Sequence, residues 1–455
     1  MNRRDFIKVA LVSGVSILVP NFSYSNRLDL TKIEFSKRNY NAQTIIIYMY
    51  GGASSLAGNL TNLDEIKKSS QSSYSSYFGK ITKTKNNFWS EAGGEYLEKM
   101  LNDGDMTIFR TCYSAIREKA GNKAHGVCTE ENQKGSFNIE KANGIIANLA
   151  AILKENSILD DNSFMPFITM EGDSKFYEDN NLNLPSTLKA AGIDENFNNP
   201  YDRVLWSVRN PLYYTKEEKE HKNYNKSDKD GGFEPAFNAT MDRVALQNCS
   251  NGKIKDAFIK RGDLANFIND IKNSQTPDLG EDAYPQNNNF AKKLEAAIKI
   301  LNKSPNTKVI TLGTGGLGGW DDHNNAKNYL TRSKNLFKAL RSAVAHLKAI
   351  DKINDVNILV FSEFGRNVNL NSANGWDHGN LQNLYIFGGH NYFNHQGVVG
   401  ETKLDVTGKL NRLWLKPKDN TYWFEPLSIA ATIYKIYGIN NPQILTNGYE
   451  PIDIF

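Results

Sequence analysis

Apolar, strand-like stretches that end in glycine or polar residues constrain the fold of this chain more than any other feature. The first, "QTIIIYMYGG" at 43–52, is β-branched and aromatic and then turns at two glycines, as a fully buried strand does. Five more candidates follow: "MTIFRTCYS" at 106–114, "FMPFITM" at 164–170, "TKVITLGTGGLGGW" at 307–320, "VNILVFSEF" at 356–364 and "NLYIFGG" at 383–389. The pattern predicts a sheet built from at least these strands.

Segments with the spacing of amphipathic helices lie between and after these strands. Apolar residues recur at helical intervals in 290–303 and 335–351, and a third segment, 426–438, ends at a glycine. Apolar strands that alternate with amphipathic helices are typical of layered α/β proteins. The sequence therefore predicts an α/β fold with a mainly parallel central sheet.

The first 25 residues have the layout of an export signal. Arg3 and Arg4 precede an apolar run from Val9 to Val19, which is too short to cross a bilayer. The order Arg-Arg-x-Phe-Ile-Lys resembles the signal that the twin-arginine export machinery reads on folded proteins. With cleavage after Ser25, we expect a periplasmic or secreted protein without a stable transmembrane span. The alternative is a basic N-terminus followed by a first core helix.

The remainder, 26–455, is predicted to form a single domain with a peripheral insertion at about 202–286. The insertion is charged, rich in asparagine and poor in aliphatic residues, as in "YYTKEEKEHKNYNKSDKDGGF".

Over the whole chain, 54 Lys and Arg stand against 50 Asp and Glu, a net charge of +4. This mixed surface argues against a nucleic-acid partner. A mean hydropathy of -0.53 excludes a polytopic membrane protein.

The three cysteines, Cys112, Cys128 and Cys249, do not form a recognisable motif. An odd number without a Cys-x-x-Cys pair indicates neither a disulfide framework nor a zinc-thiolate site. Cys112 and Cys128 are able to pair in an oxidising compartment, but nothing in the sequence requires it. We therefore expect free thiols.

Polar side chains follow the ends of three predicted strands. The clusters hold Ser54 and Ser55, then Asp321, Asp322 and His323, and then Glu363, Arg366, Asp377 and His378. A separate segment, "KAHGVCTEENQKG", places His125 and Glu130 at the start of a predicted helix. Ligands bind outside the carboxyl ends of the strands of a parallel sheet, so we expect the clusters that follow strands to meet at one edge.

These clusters have the donor types of a metal site. Asp-x-His and Asp-His pairs beside carboxylates offer oxygen and imidazole ligands, which suit a divalent cation such as Zn, Mn, Mg or Ca. Two such ions about 4 Å apart would hold both oxygens of an ester displacement. The alternative for an Asp-His pair is a loop cap. Arg366 is expected either to hold an anionic substrate or to form a salt bridge.

The remaining histidines are weaker candidates. His346 is expected to pack within an amphipathic helix or lie at its surface, and His221 to be solvated in the charged insertion. His390 and His395 follow the last predicted strand, and each is kept as a candidate that reaches the site.

The order of the motifs resembles an exported family called domain of unknown function 1501. The shared motifs are the twin-arginine start, "YMYGGASSL", "HGVCTEENQKG", "GGWDDH", "FSEFGR" and "GWDHG", and the resemblance runs from the signal to the C-terminal helix apart from the insertion. That family is grouped with the alkaline phosphatase and sulfatase superfamily. The resemblance implies an alkaline-phosphatase-like, three-layer α/β/α sandwich and a metal-dependent hydrolase ancestry.

The resemblance also implies roles for particular residues. Four residues are expected to be metal ligands: Asp321, His323, Asp377 and His378. Glu363 would be a ligand or a general base, and Arg366 would hold the substrate anion. His125 matches a histidine at a helix start, where related hydrolases keep their nucleophile.

Two positions depart from the family pattern. Ser54 stands where a metal-binding Asp is usual, and Ala124 replaces the Ser that usually precedes His125. A hydroxyl is a poorer ligand than a carboxylate, and alanine neither ligates nor attacks. Ser54 or Ser55 is nevertheless kept as a candidate nucleophile. Cys128 is followed by "TEENQ" and not by the sulfatase signature, so formylglycine chemistry is not expected.

Three functions are compatible with these residues. The first is an exported metal-dependent hydrolase that acts on a small-molecule or polymer ester of phosphate, sulfate or a related acid. The second is a non-catalytic periplasmic or surface protein that keeps the fold and one structural metal. The third is a binding module for glycan or polymer, with the insertion as its rim. The intact later motifs favour the first function, whereas Ser54 and Ala124 favour the second.

Overall fold

The computed structural model describes residues 28–36, 41–69, 74–121, 123–160, 163–172, 174–193, 267, 270–271, 273–407 and 412–455. The predicted export signal at 1–25 and most of the predicted insertion at 202–286 lie outside these residues. Both therefore stay predictions.

In the part of the chain that the structure describes, eight strands form a central sheet. The strands of the described residues are β1 (Gln43–Met49), β2 (Met106–Tyr113), β3 (Phe167–Thr169), β4 (Ala191–Gly192), β5 (Val309–Gly313), β6 (Val356–Ser362), β7 (Gly365–Arg366), β8 (His378–Gly379), β9 (Leu381–Gly388), β10 (Gly397–Val399), β11 (Thr402–Thr407) and β12 (Arg412–Pro417). Across the central sheet the order is β10-β2-β9-β6-β1-β5-β3-β4. β9 is antiparallel to both neighbours, and the other adjacent pairs are parallel. The predicted mainly parallel sheet is confirmed.

Helices cover both faces of this sheet. The α-helices of the described residues are α1 (Leu63–Ser69), α2 (Tyr74–Phe78), α3 (Gly94–Asn102), α4 (Ala115–Ala120), α5 (His125–Lys134), α6 (Ile145–Glu155), α7 (Asn289–Lys303), α8 (Tyr329–Ala349) and α9 (Leu427–Ile436). Alternate residues of a strand point to opposite faces. Ile45 and Ile47 of β1 pack in one apolar cluster with α7 and α8, whereas Ile46 and Tyr48 pack in another with α6 and α9. The predicted three-layer α/β/α arrangement is confirmed.

The predicted elements are all present, and the differences lie at their ends and among the shortest strands. α8 begins at Tyr329, ahead of the predicted start at Asn335. Tyr329, Arg332 and Ser333 are buried there, so its first turns place polar side chains on the inward face and interrupt the apolar spacing. The edge strands β4 and β10 are two and three residues long and carry too little pattern to be recognised in advance.

Two small hairpins extend from the carboxyl side of β6. In the first, β7 pairs with β8, so that Arg366 lies opposite His378. In the second, β11 pairs with β12, and the Val368 amide donates to the Leu413 carbonyl at 3.0 Å, which ties the second hairpin to the loop after β7. Within the described ranges, no helix is both long and apolar enough to cross a membrane.

Candidate metal site at the carboxyl edge of the sheet

Three adjacent parallel strands deliver their following residues to the same edge of the sheet. β1 lies between β5 and β6, with Tyr48 level with Gly313 and Met49 level with Ser362. The loops after these three strands therefore start side by side, as expected for a ligand-binding edge. They carry Gly51 and Gly52, Asp321, and Glu363 respectively.

The two glycines after β1 allow the loops to approach one another closely. Gly51 and Gly52 have φ angles of 113° and 73°, in the region that favours glycine. A Cβ atom on Gly51 would lie 2.4 Å from the backbone nitrogen of Asp321. The chain that carries Asp321 can pack against the end of β1 only because this position lacks a side chain.

His125, Asp321 and His378 form a group that could hold a metal ion. One ligand atom from each lies within 4.8 Å of the others. His125 Nε2 is 3.6 Å from Asp321 Oδ2, and the rings of His125 and His378 are 4.5 Å apart, edge to face. These residues come from the start of α5, the loop after β5, and β8, so the group exists only in the folded chain.

Both histidines are oriented by an acceptor at Nδ1. His125 Nδ1 is 2.8 Å from Glu363 Oε1, and His378 Nδ1 is 2.7 Å from the Lys123 carbonyl oxygen. A carbonyl oxygen only accepts, so His378 donates from Nδ1, and the Glu363 carboxylate fixes His125 in the same tautomer. In each ring the acceptor therefore occupies Nδ1 and leaves Nε2 as the atom directed toward the group, as in metal-binding histidines. His125 Nε2 is buried without a hydrogen-bond partner among the described residues.

Glu363 links the histidine to the end of β1. Its side chain is 1 % exposed, and Oε1 also accepts the Gly51 amide at 2.7 Å. Its backbone carbonyl is held by Arg117 Nη1 at 2.7 Å and Asn132 Nδ2 at 3.1 Å. Glu363 thus contacts His125 at Nδ1, the ring nitrogen on the side away from Asp321. Its expected role as a direct ligand or general base stays a prediction.

Arg366 is turned inward, toward the loops. Its fully buried guanidinium donates to the carbonyl oxygens of Gly52 (Nε, 2.6 Å), Trp376 (Nη1, 2.9 Å) and Gly51 (Nη2). Nη2 also reaches Asp321 Oδ1 at 2.7 Å. Partial burial would raise the pKa of Asp321, but the hydrogen bond and charge of Arg366 outweigh it and keep that pKa low. Of the two expected roles of Arg366, this geometry provides the salt bridge.

His378 is held in its neutral form. Burial lowers its pKa to about 4, and the positive charge of Arg366 adds to this effect. A neutral imidazole is the form that binds a metal. This state leaves the His378 ring ready to ligate at neutral pH.

The other two predicted ligands, His323 and Asp377, pair with each other beside this group. His323 Nδ1 is 3.5 Å from Asp377 Oδ1, and Arg412 Nε is 2.6 Å from Asp377 Oδ2. The rings of His323 and His378 are 5.7 Å apart. The structure thus places the four predicted ligands in one region. The group whose ligand atoms lie closest together, however, consists of His125, Asp321 and His378, without His323 and Asp377.

Asp322 and Ser54 take structural positions. Asp322 receives Arg332 Nη2 on both carboxylate oxygens, at 2.5 and 2.6 Å. Ser54 accepts the Tyr329 hydroxyl on its carbonyl at 2.8 Å. Ser54 also lines a cavity of about 10 Å³ with Tyr329, Ser333 and Gln382, which is about the room that one water needs.

The remaining histidines and cysteines lie elsewhere. β9 runs antiparallel, so His390 and His395 after it lie at the opposite edge, where His390 Nε2 is 3.3 Å from Asp105 Oδ1. Neither is therefore at the candidate site. His346 is buried in α8, while His221 and Cys249 lie outside the described residues. Cys112 and Cys128 are both buried, free thiols, as expected.

Sequence reasoning missed the groups that orient the site residues. The Lys123 carbonyl holds His378, and Arg117 and Asn132 hold the backbone of Glu363. No sequence pattern marks a backbone carbonyl, because every residue has one. The seven-residue spacing of His125 and Asn132 in α5 places both on one helix face, and this was a usable signal.

Comparisons with known structures find similarity at low identity. The first is the crystal structure of Ps i-CgsB in complex with k-i-k-neocarrahexaose, whose sequence is 12% identical to this one. The match covers 90% of this chain and 77% of that chain, with a TM-score of 0.36. The alkaline phosphatase from the Antarctic bacterium TAB5 is 12% identical, with 87% and 98% covered and a TM-score of 0.35. The lipoteichoic acid synthase LtaP from Listeria monocytogenes is 9% identical, with 93% and 79% covered and a TM-score of 0.34. Similarity at this level carries no argument about activity.

No curated protein matches the chain. A family model described as "Protein of unknown function (DUF1501)" matches residues 260–445. The matched segment contains Asp321, Glu363, Arg366 and His378, which are four of the residues that the motifs identified. The predicted resemblance to this family is therefore confirmed over residues 260–445.

Proposed function

We propose that the protein is a metal-dependent hydrolase of phosphate, sulfate or related esters, with a divalent cation bound by His125, Asp321 and His378. One observation carries the proposal. The ligand atoms of these residues lie within 4.8 Å of one another, and internal acceptors hold both histidines with Nε2 free to ligate. A loop cap would not require this arrangement of two histidines.

The donor set favours Zn²⁺ or Mn²⁺ over Mg²⁺ or Ca²⁺. Two of the three donors are imidazole nitrogens, whereas Mg²⁺ and Ca²⁺ prefer all-oxygen sites. Two histidines and one carboxylate are also the protein ligands of several catalytic zinc sites, which keep a further position open. When bound, the cation would supply Lewis-acid polarisation of the ester oxygen.

The surrounding residues have distinct tasks in this proposal. Glu363 keeps the proton of His125 at Nδ1, so that Nε2 faces the cation. Arg366 holds Asp321 and the loop after β1 in place through its four hydrogen bonds. His323 and Asp377 lie beside the group and would bind a second cation only if their present pairing is exchanged for ligation.

A second candidate is a metal-binding protein without catalytic activity. Ala124, at the N-cap of α5, has no nucleophilic group, and Ser54 is buried and lines a small cavity. These positions favour a structural metal whose site has lost its nucleophile. Turnover by the metal-loaded protein is the measurement that separates the two candidates.

We also propose that the protein is exported, as a periplasmic or secreted protein. The support is the twin-arginine pattern around Arg3 and Arg4. Replacing both arginines with lysine should block export, and the mature protein should disappear from the periplasmic or secreted fraction. An unchanged distribution would contradict this proposal.

Metal content and turnover test the proposed function. Protein purified without chelator should contain at least one divalent ion per chain, and His378→Ala should lose it. His390→Ala, at the opposite edge of the sheet, should keep it. The metal-loaded protein should hydrolyse at least one member of a panel of aryl phosphates, phosphodiesters and aryl sulfates. A metal-free protein whose thermal stability responds neither to EDTA nor to added Zn²⁺ or Mn²⁺ would overturn the proposal.

A further inference from the structure

We propose that Lys123 and Arg412 form a subsite for a tetrahedral oxyanion, phosphate or sulfate, beside the candidate metal site. This inference rests on the proposed function, because it names the charged group that the ester would carry. The subsite also provides a positively charged side chain for the substrate, because the donors of Arg366 are used within the protein.

Arg366 does not serve this purpose. Its side chain is fully buried, and its donors point to Gly51, Gly52, Trp376 and Asp321. Moving Arg366 toward a substrate would leave these acceptors without their donor and release the loops that they hold. An anionic ester at this edge therefore needs another positive partner.

Lys123 is attached directly to the site through its backbone. Its carbonyl accepts His378 Nδ1 at 2.7 Å, and it lies two residues before His125. Its Nζ sits 3.9 Å from the ring centroid of Trp414, on the outward face of β12. A cation–π contact holds the ammonium in position without using any of its three hydrogen-bond donors.

The ammonium of Lys123 has no carboxylate partner among the residues that the structure describes. Glu118 pairs with Lys416 at 2.7 Å, and Lys416 also pairs with Asp405 at 2.6 Å. Asp377, the acid next to His378, pairs with Arg412 at 2.6 Å. Within the described residues, the donors of the Lys123 ammonium are therefore available to an anion.

Arg412 offers the second half of the subsite. Only Nε of its guanidinium is engaged, by Asp377, and within the described ranges neither Nη atom has a hydrogen-bond partner. The side chain is 36% exposed, so the Nη edge is accessible. A guanidinium edge matches two oxygens of a tetrahedral oxyanion. Arg412 and Trp414 alternate with buried residues on β12, so they share one face of the hairpin, and Lys123 contacts Trp414 on that face.

Binding of inorganic phosphate and of inorganic sulfate to the purified protein, measured with and without added Zn²⁺, tests the subsite. Lys123→Met keeps the apolar stem on Trp414 but removes the charge, and we expect it to weaken binding of the preferred ion about tenfold. Lys403→Met is the control, because it removes the same charge from a lysine on β11 of the hairpin that Lys123 contacts, and this lysine pairs with Asp419. The control should bind within about twofold of the wild type. Titrating the two ions separately shows which oxyanion the subsite prefers.

Further variants and a metal assay keep the outcomes distinct. Lys123→Arg should restore binding, and Arg412→Lys, which keeps a charge opposite Asp377 but loses the fork, should weaken it by several-fold. Equal binding by Lys123→Met and Lys403→Met would overturn the subsite, as would a wild-type protein that binds neither ion. Metal content, measured on the same samples, should be the same in all variants. If the wild type holds no metal, the proposed hydrolase fails, while the comparison of the two methionine variants still decides the subsite.

Discussion

At the scale of single residues, Glu363 connects the most parts of the site. One carboxylate oxygen accepts both the Gly51 amide and His125 Nδ1, so it joins the end of β1 to the start of α5. The second oxygen lies 3.2 Å from the hydroxyl of Ser362. A buried carboxylate with these partners fixes the tautomer and direction of the histidine, which determines where Nε2 points.

Replacing Glu363 with glutamine should weaken metal binding while the protein still folds. The amide oxygen can keep the Gly51 hydrogen bond, but the negative charge that supports His125 is lost. We expect the affinity for Zn²⁺ to fall by about 10- to 100-fold, measured by competition with a chelator of known affinity. Glu401→Gln is the control, because Glu401 is an exposed residue whose carboxylate pairs with Lys418, away from the metal group. Equal zinc affinity in the two variants would show that Glu363 does not orient a ligand.

At the scale of elements, α5 is fastened to the end of β6 by a buried ionic network. Arg117 of α4 donates to the Glu131 carboxylate at 2.7 Å and to the Asn132 side chain at 2.7 Å, both on α5. It also donates to the Glu363 carbonyl, and Asn132 donates to the Ser362 carbonyl at 3.0 Å. This network determines where the first residue of α5, His125, stands relative to the sheet.

Replacing Arg117 with methionine should destabilise the protein strongly. Glu131 would be left as a buried carboxylate without its cation; burial already raises its pKa, and Arg117 is what opposes that rise. Breaking a buried pair in this way costs about 3–5 kcal/mol, which urea unfolding would measure. The surface pair of Lys403 and Asp419 provides the comparison, since Lys403→Met should cost less than about 1 kcal/mol. A similar loss in both variants would show that the network does not fasten α5.

At the scale of the whole molecule, the layers were predictable and the composition of the metal group was not. Long apolar strands such as β1 and β6 and amphipathic helices such as α7 repeat a pattern over many residues, and this is enough to assign them. The metal group depends on which side chains converge, and His125 joins Asp321 and His378 only through the crossing of distant segments. Spacing within a motif suggested His323 and Asp377 instead, because adjacency in sequence does not report distance in space. The antiparallel direction of β9, which moves His390 to the far edge, was likewise invisible in its apolar pattern.

The stability of the whole fold should depend on pH through His346, far from the metal group. This residue of α8 is 2 % exposed, and the Tyr284 hydroxyl is 3.3 Å from its Nδ1. Burial lowers its pKa to about 4, an effect that Glu295 of α7 opposes and Lys299 of α7 reinforces. Protonation of His346 therefore costs more free energy in the folded chain, where burial disfavours the charge, than in the unfolded chain.

The unfolded chain takes up the proton at a higher pH than the folded chain, because its histidine titrates near the ordinary value of about 6.5. The contribution of His346 to stability should therefore be complete above pH 6.5 and be lost as the pH falls toward 4, by about 3 kcal/mol in all. His346→Gln cannot titrate, so its free energy of unfolding should fall less steeply over this interval, whatever its value at neutral pH. Urea unfolding of both proteins at several pH values gives the two slopes. Parallel curves would mean that His346 is not held neutral by burial, whereas a flatter curve for the variant would assign this part of the acid sensitivity to the packing of α8 on α7.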